Sequence, residues 1–267
     1  MAVLLFLSAI TLPLNLMSIL IIMDLPPKYY YNSNFLRGGF ALKNLTYIQG
    51  AFILAFTNLL TGTISFIYRV FLSKAIGSEG MGVYQLVLPL YSLLITLVSG
   101  GITTSVSKLV AEQASSHKFR NMYKIIKIGS AVIGAWSFSL CILIFINADF
   151  LANTVLKDSR TLFSIMAFTP GVFFISISAI LKGFFYGQQD VNPPALIDVL
   201  EKLIRLGGLL VATYILLPYG IEYICAGVMA AMAVGELISL ILLYLFYRIR
   251  KTAPSVHERT DRTVHIV

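Results

Sequence analysis

Apolar positions along this chain do not recur with the 3.6-residue period of an amphipathic surface helix. They run on in long uninterrupted blocks. Residues 1 to 23, 44 to 68, 80 to 107, 128 to 148 and 161 to 181 each lack Asp, Glu, Lys and Arg altogether. A bilayer core about 30 Å thick takes about 20 apolar residues in a helix, because within lipid every backbone N–H and C=O must find its partner inside the segment. Five membrane spans are therefore predicted directly. Leu206 to Ile221 and Tyr223 to Tyr247 add two more, the second interrupted only by Glu236 and the first beginning in the charged stretch near Asp198, with Pro218, Gly220 and Glu222 forming the turn between them. The predicted fold class is all-α, a polytopic transmembrane helical bundle with short loops.

Composition agrees with that pattern and removes other classes. The chain of 267 residues is 58% hydrophobic and 12% charged, with a mean hydropathy of +0.85, where soluble domains carry about 25% charged residues. Its formal charge of +8 resides in loops, so nucleic acid is not an expected partner. Cys141 and Cys225 each lie in an apolar run and are read as packing residues. Loops on one predicted side hold 16 Lys and Arg against 4 on the other. That split places the tail after Tyr247, and the loops around Lys118 and Asp190, in the cytoplasm. Residues 1 to 47 form a hydrophobic segment and an aromatic, Pro/Gly-rich connector, with no basic region of the kind that opens a signal peptide. Residues 48 to 248 form the bundle and 249 to 267 a basic tail.

Ionisable groups within spans are the informative ones, since each is costly at the bilayer centre unless it meets a partner or a water-filled cavity. Glu236 lies mid-span in AVGELISL, with no cation within a turn on its own helix. It is either a cavity carboxylate that binds or couples to a cation, or a neutral acid hydrogen-bonded between helices. Arg69, closing a span in TISFIYRVFLSKAIG, either anchors to headgroups or reaches a central cavity to hold a phosphate bidentately. Lys182 in ILKGFFYGQQ has the same two readings. Asp198 to Lys202 and Glu201 to Arg205 are favourable acid-first i,i+4 pairs that neutralise one another, with Arg205 the deepest of the four. Gly183 to Gly187, Ser130 to Gly134 and Ala231 to Gly235 are small-xxx-small patterns that let helices approach closely. Pro89, Pro170 and Pro218 permit bends.

Other chemistry is not supported. Ser105 and Lys108 fit SxxK without the accompanying signatures of that enzyme class. The Asn44 to Thr46 sequon falls on the predicted cytoplasmic side, and His117, His257 and His265 show no ligand spacing. No glycine-rich phosphate loop, zinc motif or triad is present, so neither an enzyme nor a cofactor or metal is expected.

The stretches ISFIYRVFLSKAIGSEGMGVYQLVLPLYSLLITLVSGGITTSVSKLVAE, LKDSRTLFSIMAFTPGVFFISISAILKGFFYGQQDVNPPALIDVLEKLIRLGG and LLPYGIEYICAG, in that order, resemble the stage V sporulation protein B family of polysaccharide and lipid-linked oligosaccharide exporters. This family belongs to the multidrug/oligosaccharidyl-lipid/polysaccharide exporter superfamily, which includes the peptidoglycan lipid II flippase. The resemblance covers about residues 48 to 250. It implies a flippase of a lipid-linked oligosaccharide or peptidoglycan precursor for cell-wall or spore-cortex synthesis, in the bacterial plasma membrane. It also implies two six-helix lobes with alternating access to a central cationic cavity.

This chain matches only the first lobe, so it is expected to be a half that needs a second lobe or a homodimer. Residue by residue, Arg69 matches the family's YR arginine, Lys182 stands in KGFFYG where an arginine is usual, and Glu201 and Arg205 match an ExxxR helix. The substrate-binding residues implied are Arg69, Lys182 and Arg205, with Glu236 and Glu201 as cavity or coupling carboxylates. Thr103 stands where a proline is usual, and residues 1 to 42 have no counterpart. The competing readings are a cation-coupled multidrug exporter and a non-transporting fragment. The early spans contain no carboxylate, which weighs against the exporter.

Overall fold

The computed structural model describes residues 47 to 116 and 119 to 252. The predicted N-terminal hydrophobic segment, the sequon, the three histidines and the tail beyond Thr252 lie outside the described residues. Six long helices dominate the described chain, α1 (Tyr47–Ser99), α2 (Ile102–Ser115), α3 (Phe119–Ile146), α4 (Leu162–Gly187), α5 (Asn192–Leu216) and α6 (Ile221–Thr252), with short helical turns at Ala148–Phe150, Leu151–Val155, Ser159–Thr161 and Leu217–Tyr219 between them. Among the described residues there is no strand. Four stretches are long and apolar enough to cross a membrane, Gly50–Ser115, Arg120–Ile146, Ser159–Gly187 and Ile221–Lys251. The chain is thus an all-α polytopic membrane bundle.

Three features differ from the predicted spans. The loop expected after Tyr68 is absent, because α1 runs on through Arg69 and Lys74 and breaks direction only at Gly77, whose φ of 65° is a left-handed conformation that glycine adopts without strain. Both cations are therefore on a helix. The span expected over 80 to 107 is interrupted at Gly100 and Gly101, the latter at φ 77°. A helix break thus precedes Thr103, the position where the resemblance leads one to expect a proline. Thr103 instead donates its hydroxyl to the carbonyl of Ala179 on α4 at 3.1 Å. Finally, α5 starts at Asn192, with Pro193 and Pro194 in its first turn, so the charged residues expected to lead into a span sit well inside a helix, one that is not among the four stretches apolar enough to cross a membrane. Proline suits that position because the first-turn N–H groups have no intrahelical acceptor.

Helix α4 is the centre of the bundle. It packs most extensively on α6 and also touches α2, α3 and α1, while α5 lies between α6 and α1. Phe168, Phe184 and Phe185 on α4 are wholly buried. On α3, by contrast, Ile128, Trp136, Phe145 and Ile146 are exposed, forming an apolar face suited to lipid. Lipid tails are as apolar as leucine, so close packing rather than the hydrophobic effect holds membrane helices together. The glycines carry that load. A Cβ on Gly183 would come within 2.8 Å of the Thr103 carbonyl oxygen, and one on Gly187 within 2.6 Å of the Ser107 carbonyl oxygen. Both obstructing atoms belong to the backbone of α2, which cannot swing aside as a side chain would. Gly187→Val is expected to force α2 off α4 and to cost about 1–3 kcal/mol, the usual range for overpacking, read as a lower melting temperature in detergent by size-exclusion chromatography.

At the end of the bundle away from the α4–α5 turn, Arg160 donates to Asp158 through Nε at 3.1 Å and Nη2 at 3.0 Å, and to Glu79 at 2.5 Å. The guanidinium hydrogen bonds hold the Asp158 carboxyl below the usual carboxylate range. This contact ties the start of α4 to the segment after the Gly77 kink.

Candidate functional site

Charges gather where α4, α5 and α6 meet. Two turns of α5 bring Asp198, Glu201, Lys202 and Arg205 to the interface, α4 supplies Lys182, and α6 supplies Glu236. Arg205 and Glu236 each lie roughly 20 Å along the axis from the start of their own helices, at 1.5 Å per residue. For helices of 25 and 32 residues this is near the middle of each, and for α6, which is long and apolar enough to cross a membrane, an ionised group there is costly without a partner.

Arg205 is the hub. Its Nη2 donates to Glu201 at 2.7 Å, an i,i+4 contact on α5, and also to Glu236 across the interface to α6. The side chains are 13%, 4% and 8% exposed for Arg205, Glu201 and Glu236 respectively, so the triad is shut away from solvent and lipid alike. Close helix approach makes this possible. A Cβ on Gly235 would lie 3.0 Å from Arg205 Cγ, and one on Gly208 would lie 2.6 Å from Ala231 Cβ. The small residues of the AVGE stretch thus clear the path by which the guanidinium reaches Glu236.

A second pair lies alongside, with Lys182 Nζ donating to Asp198 at 2.6 Å and Lys202 to Glu201 at 3.1 Å. Three cations face three carboxylates, so the cluster is balanced in formal charge. Its pairing departs in part from the helix-periodic expectation. Glu201 to Arg205 forms as the i,i+4 spacing predicts. Asp198 is taken by Lys182 from α4 rather than by Lys202 on its own helix, and Lys202 turns to Glu201. Glu236, which has no cation nearby on its own helix, obtains one from α5. Arg205 does not face an open cavity, since two carboxylates enclose it.

Arg69 is in a different setting. It is exposed on α1, as are its face neighbours Phe66 and Ser73, and it makes no hydrogen bond or ion pair among the described residues. The five residues named from the sequence therefore divide into a closed interhelical triad (Glu201, Arg205, Glu236), a paired Lys182 beside it, and a free Arg69 on another helix.

Sequence reasoning missed several contacts. Ser176 donates to Ser137 at 2.8 Å between α4 and α3, both residues fully buried. Arg250 at the end of α6 bridges Asp190 and Gln188 of the α4–α5 turn and lies 5.7 Å from the centre of the Phe185 ring. Its i,i+4 neighbours offered no hint, because the partners are 60 residues away. Cys141 and Cys225 are both free thiols, the latter buried. Among the described residues no group of ligating side chains is arranged to hold a metal ion.

A family profile described as polysaccharide biosynthesis protein matches residues 47 to 264. Stage V sporulation protein B of Bacillus subtilis (strain 168) is 37% identical over 207 residues, covering 78% of this chain and 40% of that protein. From the same organism, Uncharacterized membrane protein YabM is 27% identical over 201 residues (74% and 37%), and Lipid II flippase MurJ is 24% identical over 215 residues (76% and 40%). The chain spans about 40% of the length of these relatives. No solved structure matches.

Proposed function

We propose that this chain, which belongs to the polysaccharide biosynthesis protein family, is one lobe of a membrane flippase for a lipid-linked oligosaccharide or peptidoglycan precursor. Support comes from the matched relatives, two of which are named as a stage V sporulation protein and a lipid II flippase. The observation that carries the reading is Arg69: an exposed guanidinium with no hydrogen bond or ion pair among the described residues, one turn from Ser65 and Ser73 on the same helix face. A lipid diphosphate is a multiply charged anion that does not cross about 30 Å of hydrocarbon unaided. Its passage requires a cation in a groove shielded from lipid, while its tail stays in the bilayer.

In this reading Arg69 holds the diphosphate bidentately, as the planar guanidinium favours. Lys182 and Arg205 also take part, and each must exchange a carboxylate for a phosphate oxygen to do so. Asp198, Glu201 and Glu236 then hold the cations in place when no substrate is bound, which keeps bare charge out of the bilayer. Glu236 is the coupling candidate, because loss of its contact with Arg205 alters the α5–α6 interface directly. A single lobe forms one wall of such a groove. A second lobe or a second copy supplies the other, the whole lying in the bacterial plasma membrane with the end of α6 in the cytoplasm.

The alternative, a cation-coupled multidrug exporter, requires an unpaired deep carboxylate. Glu236 is held by Arg205, which favours the flippase. The test is to reconstitute the full gene product in liposomes with a fluorescent lipid diphosphate and measure its accessibility to an external quencher. Protein-dependent loss of protected fluorophore is expected. No acceleration over empty liposomes, together with efflux of a cationic dye, would replace this reading by the exporter.

A further inference from the structure

Helices α1 and α5 run side by side in the same direction and leave between them a groove of about 340 Å³, at the end of the bundle away from the Arg250 contact with the α4–α5 turn. Phe71 and Ala75 of α1 and Leu209 and Leu210 of α5 form its walls. Along α5 the apolar pair Leu209 and Leu210 is followed one turn on by Thr213 and Tyr214 and then by Leu217, and on α1 Lys74 lies between Phe71 and Ala75.

Lys74 is exposed and makes no hydrogen bond or ion pair among the described residues, and the Thr213 hydroxyl has no hydrogen-bond partner either. An amphiphile in the adjacent leaflet presents complementary parts: a charged headgroup, ester carbonyls and hydrocarbon. A cation near the surface attracts anionic lipid, an effect worth about 1 kcal/mol per charge even without a shaped site. The shape here adds the chain slot. A neutral or zwitterionic headgroup gains less, because its own ammonium opposes Lys74.

We infer that the α1–α5 groove is a binding site for an anionic phospholipid, its phosphate held by Lys74 and one acyl chain laid along Phe71, Leu209 and Leu210. The site is independent of substrate transport, and nothing in the charged triad takes part in it. It commits to a bulk phospholipid rather than to the polyprenyl substrate, because a polyprenyl tail is far longer than a groove of about 340 Å³ and a diphosphate asks for more than the single cation there. Such a lipid wedges α1 against α5 just before the Gly77 kink.

The test is native mass spectrometry of the full chain in detergent, with phosphatidylglycerol and phosphatidylcholine of matched chains at equal concentration. One phosphatidylglycerol is expected to be retained about tenfold over phosphatidylcholine, the equivalent of one charge-assisted contact. Lys74→Gln should bring that preference within about twofold and Lys74→Arg should keep it. Lys124→Gln, an exposed cation on α3, should leave it unchanged. Leu210→Trp, which fills the slot, should reduce retention of both lipids. Equal preference in wild type and Lys74→Gln overturns the inference, as does wild type that retains neither lipid. Displacement of phosphatidylglycerol by undecaprenyl phosphate at equal concentration overturns the stated occupant, and leaves the transport reading to be judged by its own assay.

Discussion

Arg205→Ala is expected to lower the stability of the protein by about 3–5 kcal/mol, the range found when one partner of a buried ion pair is removed. The reason is what remains. Glu201 and Glu236 would be left facing each other at the buried α5–α6 interface, 4% and 8% exposed, with Lys202 the one cation in direct contact with Glu201. Glu236→Gln should cost less, because an amide still accepts from the guanidinium and Arg205 keeps Glu201. Arg205→Leu combined with Glu236→Leu should recover most of the loss, since no unpaired charge is then left and Glu201 retains Lys202. Melting in detergent, followed by size-exclusion chromatography at graded temperatures, reads all three. A loss below about 1 kcal/mol for Arg205→Ala would mean that water reaches the triad and solvates its charges, as it does for exposed pairs.

Arg69→Ala is the opposite kind of change. Its side chain is exposed and makes no hydrogen bond or ion pair among the described residues, so stability should stay within about 0.5 kcal/mol of wild type. Transport of a lipid diphosphate by the full gene product should fall about ten- to a hundredfold, the loss of one or two charge-assisted hydrogen bonds of about 1.5–3 kcal/mol. Arg69→Lys should be intermediate, because an ammonium keeps the charge and loses the fork. Wild-type transport rates in Arg69→Ala would remove Arg69 from the substrate path and leave it a headgroup anchor. Together the two substitutions separate the roles: the triad is read in stability, Arg69 in transport.

The extent to which the site was legible follows from the range over which each interaction acts. Glu201 and Arg205 pair as their spacing requires, because i,i+4 neighbours share a helix face whatever surrounds them. The same rule pointed to Asp198 with Lys202 and did not hold there. Lys182 from α4 lies 2.6 Å from Asp198, and Glu201 was available to Lys202. Helix periodicity describes the candidates for a pair and is silent about competitors on other helices. Glu236 shows this most clearly, since its cation is 31 residues away on the neighbouring helix. The AVGE glycine hinted at close approach, without naming the helix that would approach.

That this is a membrane-spanning helical bundle follows from its apolar blocks alone. Apolar blocks longer than the bilayer needs, free of charge, have no other stable form in lipid, and that constraint is local to each segment. The sequence also brought out Arg69 and Glu236 as charges that need an explanation. The bends came from the packed fold, with α1 continuing past Arg69 to the Gly77 kink and a second break at Gly100 and Gly101. A run of apolar residues is equally content straight or broken, so composition does not locate a bend. Which charges are closed and which are free was likewise set by packing. A buried ion's energy depends on partners within a few ångströms in space, and those arrive from helices whose order of packing no single segment encodes.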